Sequence, residues 1–321
     1  MESLDLGFDI YYINLERSTE RNLRMCETFG RLKRIDAYDG TILDSYSDIY
    51  IQPELRQQLT KSNTPYEYGC SFSHIKAIIT AYNDMKDEVI IMEDDMHVSY
   101  KSLWRESIHD IVHNAPTNTM CIQLSCIHSS CILNNIVNGK RYIKWDIEKE
   151  FWGTGAYYIN RQGMKVIYDT YYNPSLCRIE LLTSNIRNNI AADGDIIYPK
   201  INTYLYYLPL FDFQVSNSYI HQEHLLEHYA SLFIIKEYFK FYSHYHTIFV
   251  CCKCKRKLSS NDAASSPDID ELYCSRCDKD EAFKLVNKKS NAIIKNWWFN
   301  GDSGINRYVW DILKCNYNYN K

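Results

Sequence analysis

The sequence predicts an α/β domain on a mostly parallel sheet with flanking helices, followed by a small metal-binding module. Short apolar runs alternate with stretches of helical spacing, the pattern of an open α/β sheet. Paired cysteines then appear near the C-terminus, where the composition changes. The chain has 321 residues, 45% of them apolar, enough for one sizeable core plus a small unit.

Phe8 to Leu15 (FDIYYINL) is apolar, β-branched and aromatic, and reads as a buried strand. Glu16 to Phe29 has helical spacing, and Tyr38-Asp39-Gly40 is a turn signal. Residues 41–66 are polar and irregular, with room for one short helix. Ser73 is placed to N-cap a helix through Ile75, Ile78, Ile79 and Tyr82. Glu88 to Met92 is a second strand, Leu103 to Val112 a helix, Met120 to Cys126 a third strand, and Gly155 to Ile159 a fourth. A helix follows from Arg161. Residues 180–215 are mixed, and 222–246 form a long helix pattern. The expected divisions are 1–235 for the main domain, 236–285 for the helix end and metal module, and 286–321 for an aromatic tail.

Cys251-x-x-Cys254 and Cys274-x-x-Cys277 are separated by nineteen residues. Two such knuckles can set four thiolates tetrahedrally around one Zn²⁺, a zinc-ribbon-like arrangement. Cys252 would give a Cys-x-Cys pair of the wrong reach. Four thiolates leave no position for water, so this zinc is expected to be structural.

The formal charge is −4, and nothing global points to nucleic acid. Twelve cysteines without a secreted disulfide spacing, no visible signal peptide and no apolar run of membrane length lead us to expect a cytoplasmic protein without a membrane span. With only eleven glycines and no phosphate-loop or dinucleotide motif, nucleotide binding by a glycine-rich loop is not expected.

Glu93-Asp94-Asp95 follows directly on the second strand. In open α/β sheets, ligands sit beyond the carboxyl ends of strands. Two carboxylates there can hold a hard divalent cation against a diphosphate. The bland alternative is a solvated acidic turn.

Four ordered segments together resemble glycosyltransferase family 25. They are Tyr12-Ile13-Asn14-Leu15-Glu16-Arg17-Ser18-Thr19-Glu20-Arg21, Gly69-Cys70-Ser71-Phe72-Ser73-His74, Ile90-Ile91-Met92-Glu93-Asp94-Asp95, and Gly153-Thr154-Gly155-Ala156-Tyr157-Tyr158-Ile159. Asp36 to Gly40 and Leu208-Pro209 to Ser216 fit its turn and closing segment, so the resemblance spans roughly residues 8–220. It implies a GT-A-type (Rossmann-like) fold, a UDP-sugar donor, Mn²⁺ or Mg²⁺, and inverting transfer of a hexose, galactose or glucose, to a glycan or protein hydroxyl. It implies that Glu93 and Asp95 are metal ligands, and that Asn14, Arg17, Arg21, Ser73, His74 and Asp94 lie at the donor. The missing leader and missing retention tail depart from the animal collagen-modifying members, and suggest a bacterium or a large DNA virus.

An inverting transfer needs a general base. Asp193 and Asp195 sit where the family has an acidic residue; we favour Asp193, with Asp195 as a base or a metal neighbour. A plain Asp-Gly-Asp turn explains the pair equally well. His224-Leu225-Leu226-Glu227-His228 matches an inverted zinc-protease pattern but lies in an aromatic-rich helix that reads as packing. The alternative to an enzyme is an inactive glycosyltransferase-like scaffold that binds through the zinc module and Trp297, Trp298, Phe299 and Trp310.

Overall fold

The computed structural model describes residues 3–59, 63–104, 106–129, 131–132, 135, 140–146, 148, 151–186, 189–214 and 225–245, with short strands at 249–250, 257–258, 263–265, 271–274 and 283–284. The chain divides into two units, Met1–Leu232 and Phe233–Lys321. In the second, Phe249–Val250 pairs antiparallel with Lys257–Leu258, and Ala263–Ser265, Glu271–Cys274 and Phe283–Lys284 form a small antiparallel sheet. Cys251, Cys254 and Cys277 lie outside the described residues, as do His224 and the tail tryptophans, so the expected zinc geometry is not described.

The first unit is mixed α/β. In chain order it runs β1 (Ile10–Asn14), α1 (Thr19–Thr28), β2 (Leu32–Asp36), β3 (Ile49–Ile51), α2 (Pro53–Leu59), α3 (Pro65–Asn83), β4 (Glu88–Glu93), β5 (Met96–His97), α4 (Ile108–His113), β6 (Cys121–Gln123), β7 (Tyr142–Lys144) and β8 (Ala156–Asn160). It continues with α5 (Arg161–Tyr171), β9 (Tyr172–Asn173), β10 (Arg178–Leu181), β11 (Thr203–Tyr206) and β12 (Asp212–Phe213), and α6 (Leu225–Tyr245) follows. The main sheet has seven strands in the order β2-β1-β4-β8-β6-β11-β7. β8 and β7 run against the other five.

The central strands are the ones hydrophobicity marks. Every residue of β1 is buried, as are Val89 to Met92 of β4. Both faces are covered, as a parallel sheet requires. Tyr11 and Ile13 of β1 share one core with Ile75, Ile78 and Ile79 of α3 and Met164 and Ile167 of α5. Strand alternation turns Ile10 and Tyr12 the other way. There the Tyr12 hydroxyl donates to Asn22 of α1 at 2.6 Å. The Phe8 ring, just before β1, stacks on His109 of α4 at 4.3 Å. Among the described residues, no helix is long and apolar enough to cross a membrane.

Two readings of the sequence need correction. Ser73 is not an N-cap: it lies inside α3, whose start is set by Thr64 and Pro65. There a capping box forms, with Glu67 N–H donating to the Thr64 hydroxyl at 3.3 Å and Thr64 N–H to Glu67 at 2.6 Å. The expected helix over Leu103 to Val112 starts later, at Ile108, because Ser107 and Asp110 form a second capping box. The sheet is mostly parallel, as expected, with the fourth strand lying between β4 and β6 and antiparallel to both.

That reversal matters for function. In a parallel set, β1 and β4 end at the same edge, with Ile13 opposite Glu93. An antiparallel β8 begins at that edge, so Gly153-Thr154-Gly155, just before it, arrives beside the end of β4: Glu93 N–H donates to Gly155 carbonyl at 2.8 Å. Gln123, at the end of β6, holds the approach by donating to the carbonyls of Phe151 at 3.1 Å and Gly153 at 2.9 Å.

Candidate active site

A cleft of about 480 Å³ opens at this sheet edge, lined by residues following β1, by the turn after β2, by one face of α3 and by the Glu93–Asp95 end of β4. The turn and α3 meet closely. A Cβ on Gly69 would lie 2.7 Å from the Tyr38 carbonyl oxygen, and one on Gly40 would overlap Pro65, so both positions need glycine. The Ser73 hydroxyl ties the same contact, accepting from Tyr38 N–H at 2.8 Å and donating to Gly69 carbonyl at 2.5 Å. Ser73 and His74 both line the cleft.

The three acidic neighbours share the Arg21 charge and otherwise differ in their partners. Asp94 is buried: Asn14 donates to it at 2.6 Å and Arg21 at 2.9 Å, while Arg24 donates to its carbonyl at 2.6 Å. It fastens α1 to the strand end. Asn14 is fixed in turn by Arg34, which donates to its side-chain oxygen at 2.9 Å.

Glu93 accepts from Thr154 at 2.9 Å, and its Oε1 lies 3.3 Å from Nε2 of the fully buried His74. His74 Nδ1 is 3.2 Å from the Tyr157 hydroxyl. Burial pushes the Glu93 carboxyl up, but His74, Thr154 and the Arg21 charge outweigh it and hold it below its usual range.

Asp95 differs from both. Burial, with the Glu93 charge beside it, raises its carboxyl to about 7. Its nearest cation, Arg21, is 3.9 Å away, and its buried Oδ1 has no hydrogen-bond partner. An unsatisfied buried carboxylate oxygen is costly, and a bound cation relieves that cost. The donor set suits a hard divalent ion: Asp95 and Glu93 supply oxygens that line a polar cleft.

Arg17 is half exposed and pairs with Asp39 across the cleft. Asp39 also accepts from Thr41 N–H at 3.0 Å and its hydroxyl at 2.7 Å, and these contacts with the Arg17 charge lower its pKa despite some burial. Sequence reasoning missed Asp39, Arg24, Thr154 and Tyr157 as individual participants. Arg24 follows Arg21 by three positions, the spacing of one helical face, which was the available signal.

The Asp193 to Asp195 pair is split. Residues Ala192–Ile196 form a single π-helical turn, a geometry frequent at functional sites. Asp193 turns toward the acidic end: it accepts from Gly153 N–H at 2.7 Å and from Gly194 N–H at 2.7 Å. Burial raises its pKa against those two bonds, and the Glu93 charge adds to the rise. Neither Asp193 nor Asp195 lines the cleft; Asp195 is buried, and its charge bears on the Tyr171 hydroxyl.

The closing segment folds over the acidic turn. β12 pairs antiparallel with β5, and Gln214 N–H donates to Asp95 carbonyl at 3.1 Å. The protease-like pattern gathers no metal donors among the described residues. Glu227 accepts from Ser129 N–H, and His228 packs edge-on against Phe213 with ring centroids 5.5 Å apart.

The sequence profile of glycosyltransferase family 25, described as an LPS biosynthesis protein, matches residues 8–181. The chain belongs to glycosyltransferase family 25. The match covers all four ordered segments of this family 25 glycosyltransferase and ends before Asp193 and Asp195. No curated protein matches the sequence.

Proposed function

We propose that this family 25 chain is an inverting, UDP-sugar-dependent hexosyltransferase. Glu93 and Asp95 hold Mn²⁺ or Mg²⁺, and Asn14, Arg17, Arg21, Ser73 and His74 line or brace the donor site. The observation that carries the reading is the unpartnered, buried Oδ1 of Asp95 in a cleft that also bears Arg17 and Arg21. When bound, the cation supplies Lewis-acid stabilisation of the departing diphosphate.

The chain's own residues do the rest. Arg17 exchanges its contact with Asp39 for a phosphate oxygen, since an exposed guanidinium gains a stronger, forked partner there. Asp94 stays with Asn14 and Arg21, and keeps the arginine-bearing helix docked as the ligand enters. Asp193 receives the proton of the acceptor hydroxyl; its raised pKa favours that uptake. The transferred sugar is galactose or glucose, and the acceptor is a glycan or protein hydroxyl. A structural zinc on Cys251, Cys254, Cys274 and Cys277 completes the proposal.

The test is UDP release from a panel of UDP-sugars supplied with Mn²⁺. One UDP-hexose is expected to release UDP at a rate that chelation abolishes. No release from any UDP-sugar would remove this reading.

A further inference from the structure

The floor of the cleft carries donors that a hard-cation site does not use. Cys70 and His74 are four residues apart on α3, so they share one face of the helix. That face meets the end of β4. Cys70 Sγ, a ring nitrogen of His74 and a carboxylate oxygen of Glu93 consequently lie within 4.8 Å of one another. The His74 to Glu93 separation is 3.3 Å. Bonds of about 2.0–2.3 Å around tetrahedral zinc imply ligand-to-ligand edges of roughly that size. Cys70 closes the triangle with a shift smaller than a bond length.

Two further features fit a metal centre. His74 turns its other ring nitrogen to the Tyr157 hydroxyl at 3.2 Å, and Thr154 donates to Glu93 at 2.9 Å. Metal-bound histidines and carboxylates are characteristically fixed by such outer partners. All three donors also line the open cleft, which gives an ion a route in.

We propose that Cys70, His74 and Glu93 form a second divalent-metal site that takes a borderline-soft cation, Zn²⁺ or Co²⁺. Thiolate and imidazole favour such ions over Mg²⁺, which requires near-octahedral oxygen ligands. Three protein ligands leave a fourth position facing the cleft. Binding releases the thiol proton to solvent and involves no change of oxidation state. Glu93 is shared with the pair assigned to Mn²⁺, so Zn²⁺ at this site is expected to perturb Mn²⁺-supported turnover. The site itself stands on geometry and does not require the UDP-sugar reading.

The experiment titrates the full, metal-stripped chain with Zn²⁺ against a chromogenic chelator, alongside Cys70→Ser, His74→Gln and Tyr157→Phe. The wild type should hold one equivalent more than Cys70→Ser, beyond any zinc on the four spaced cysteines. Tyr157→Phe should keep that equivalent with roughly 10–100-fold weaker affinity. With Co²⁺, the wild-type minus Cys70→Ser difference spectrum should contain a thiolate-to-metal charge-transfer band. Equal zinc content in wild type and a normally melting Cys70→Ser would overturn the site. If Cys70→Ser does not fold, unchanged zinc content in His74→Gln together with unchanged affinity in Tyr157→Phe overturns it instead. None of these measurements reads turnover. A chain that holds the extra ion but releases no UDP keeps this site and loses the proposed function, and the converse result does the opposite.

Discussion

The two sides of the cleft are built differently. On the wall, from Leu15 to Arg21 and across to Asp39, charges are partly exposed and satisfy one another: Arg17 meets Asp39, and Asp39 is also held by Thr41. On the floor, Glu93 and Asp95 are part-buried, their side chains 30% and 24% exposed, and both draw on the Arg21 charge, with Thr154 and Asp193 behind them. The floor is uneven: Asp95 and Asp193 have raised pKa values, while Glu93, held by His74, Thr154 and the Arg21 charge, is lowered like Asp39 on the wall. The wall pairs its charges, whereas Asp95 Oδ1 on the floor has no hydrogen-bond partner, the feature on which the proposed cation site rests. Changes on the floor should therefore be severe in function and mild or favourable in stability; changes on the wall should be mild in both.

The largest effect should come from Asp95→Ala. Loss of a metal carboxylate should raise the barrier by several kcal/mol, on the order of the stabilisation credited to a Lewis-acid cation, and remove Mn²⁺-dependent UDP release. Stability of the metal-free protein should not fall. Asp95 is raised from 3.8 to about 7 in the folded state, so its contribution is full below about 4 and is lost as pH rises through 7. Thermal melts of metal-free wild type should therefore weaken relative to Asp95→Asn between those limits. A wild type that gains stability on Asp95→Asn over that rise would contradict the assigned burial.

Next is Asp193→Asn, expected to lose roughly 10²–10⁴-fold in transfer while donor binding persists. Asp195→Asn should change transfer little, because its charge bears on Tyr171, whereas Asp193 accepts from Gly153 beside the end of β4. Exchange of these two behaviours in steady-state assays would reverse the assignment. Thr154→Val removes one donor to Glu93, and should raise the Mn²⁺ concentration for half-maximal rate by roughly 10–100-fold. A metal titration showing no shift would separate Thr154 from the site. The smallest effect is Arg17→Ala. Its side chain is 53% exposed, and an exposed ion pair contributes about 0–1 kcal/mol, so the melt should barely move. The donor KM should rise instead, and an unchanged KM would take Arg17 off the diphosphate.

How legible these two sides were in the sequence follows the same division. The buried centre of the sheet was readable because β1 and β4 are continuous apolar runs, and the acidic triplet follows β4 without a gap. β2 was not, since Leu32-Lys33-Arg34-Ile35-Asp36 buries only Ile35 and guards a sheet edge with charge. The start of α3 was misplaced because Ser73 resembles a cap, while Thr64, Pro65 and Glu67 hold the actual capping box. The individual partners on the floor were hidden for a different reason. His74 to Glu93 and Asp193 to Gly153 join residues far apart in sequence, and only the antiparallel placement of β8 brings Thr154 and Gly153 to that edge. The split between Asp193 and Asp195 depends on one π-helical turn, which residue types alone do not announce.

Asp95 and Glu93 are proposed to hold a divalent cation at the floor of the cleft. Electron paramagnetic resonance of Mn²⁺ added to the metal-stripped full chain, with and without UDP, tests it most directly. One bound Mn²⁺ is expected at this site, tightened by UDP and lost in Asp95→Ala. Mn²⁺ binding that is the same in Asp95→Ala and wild type, with UDP present, would contradict it.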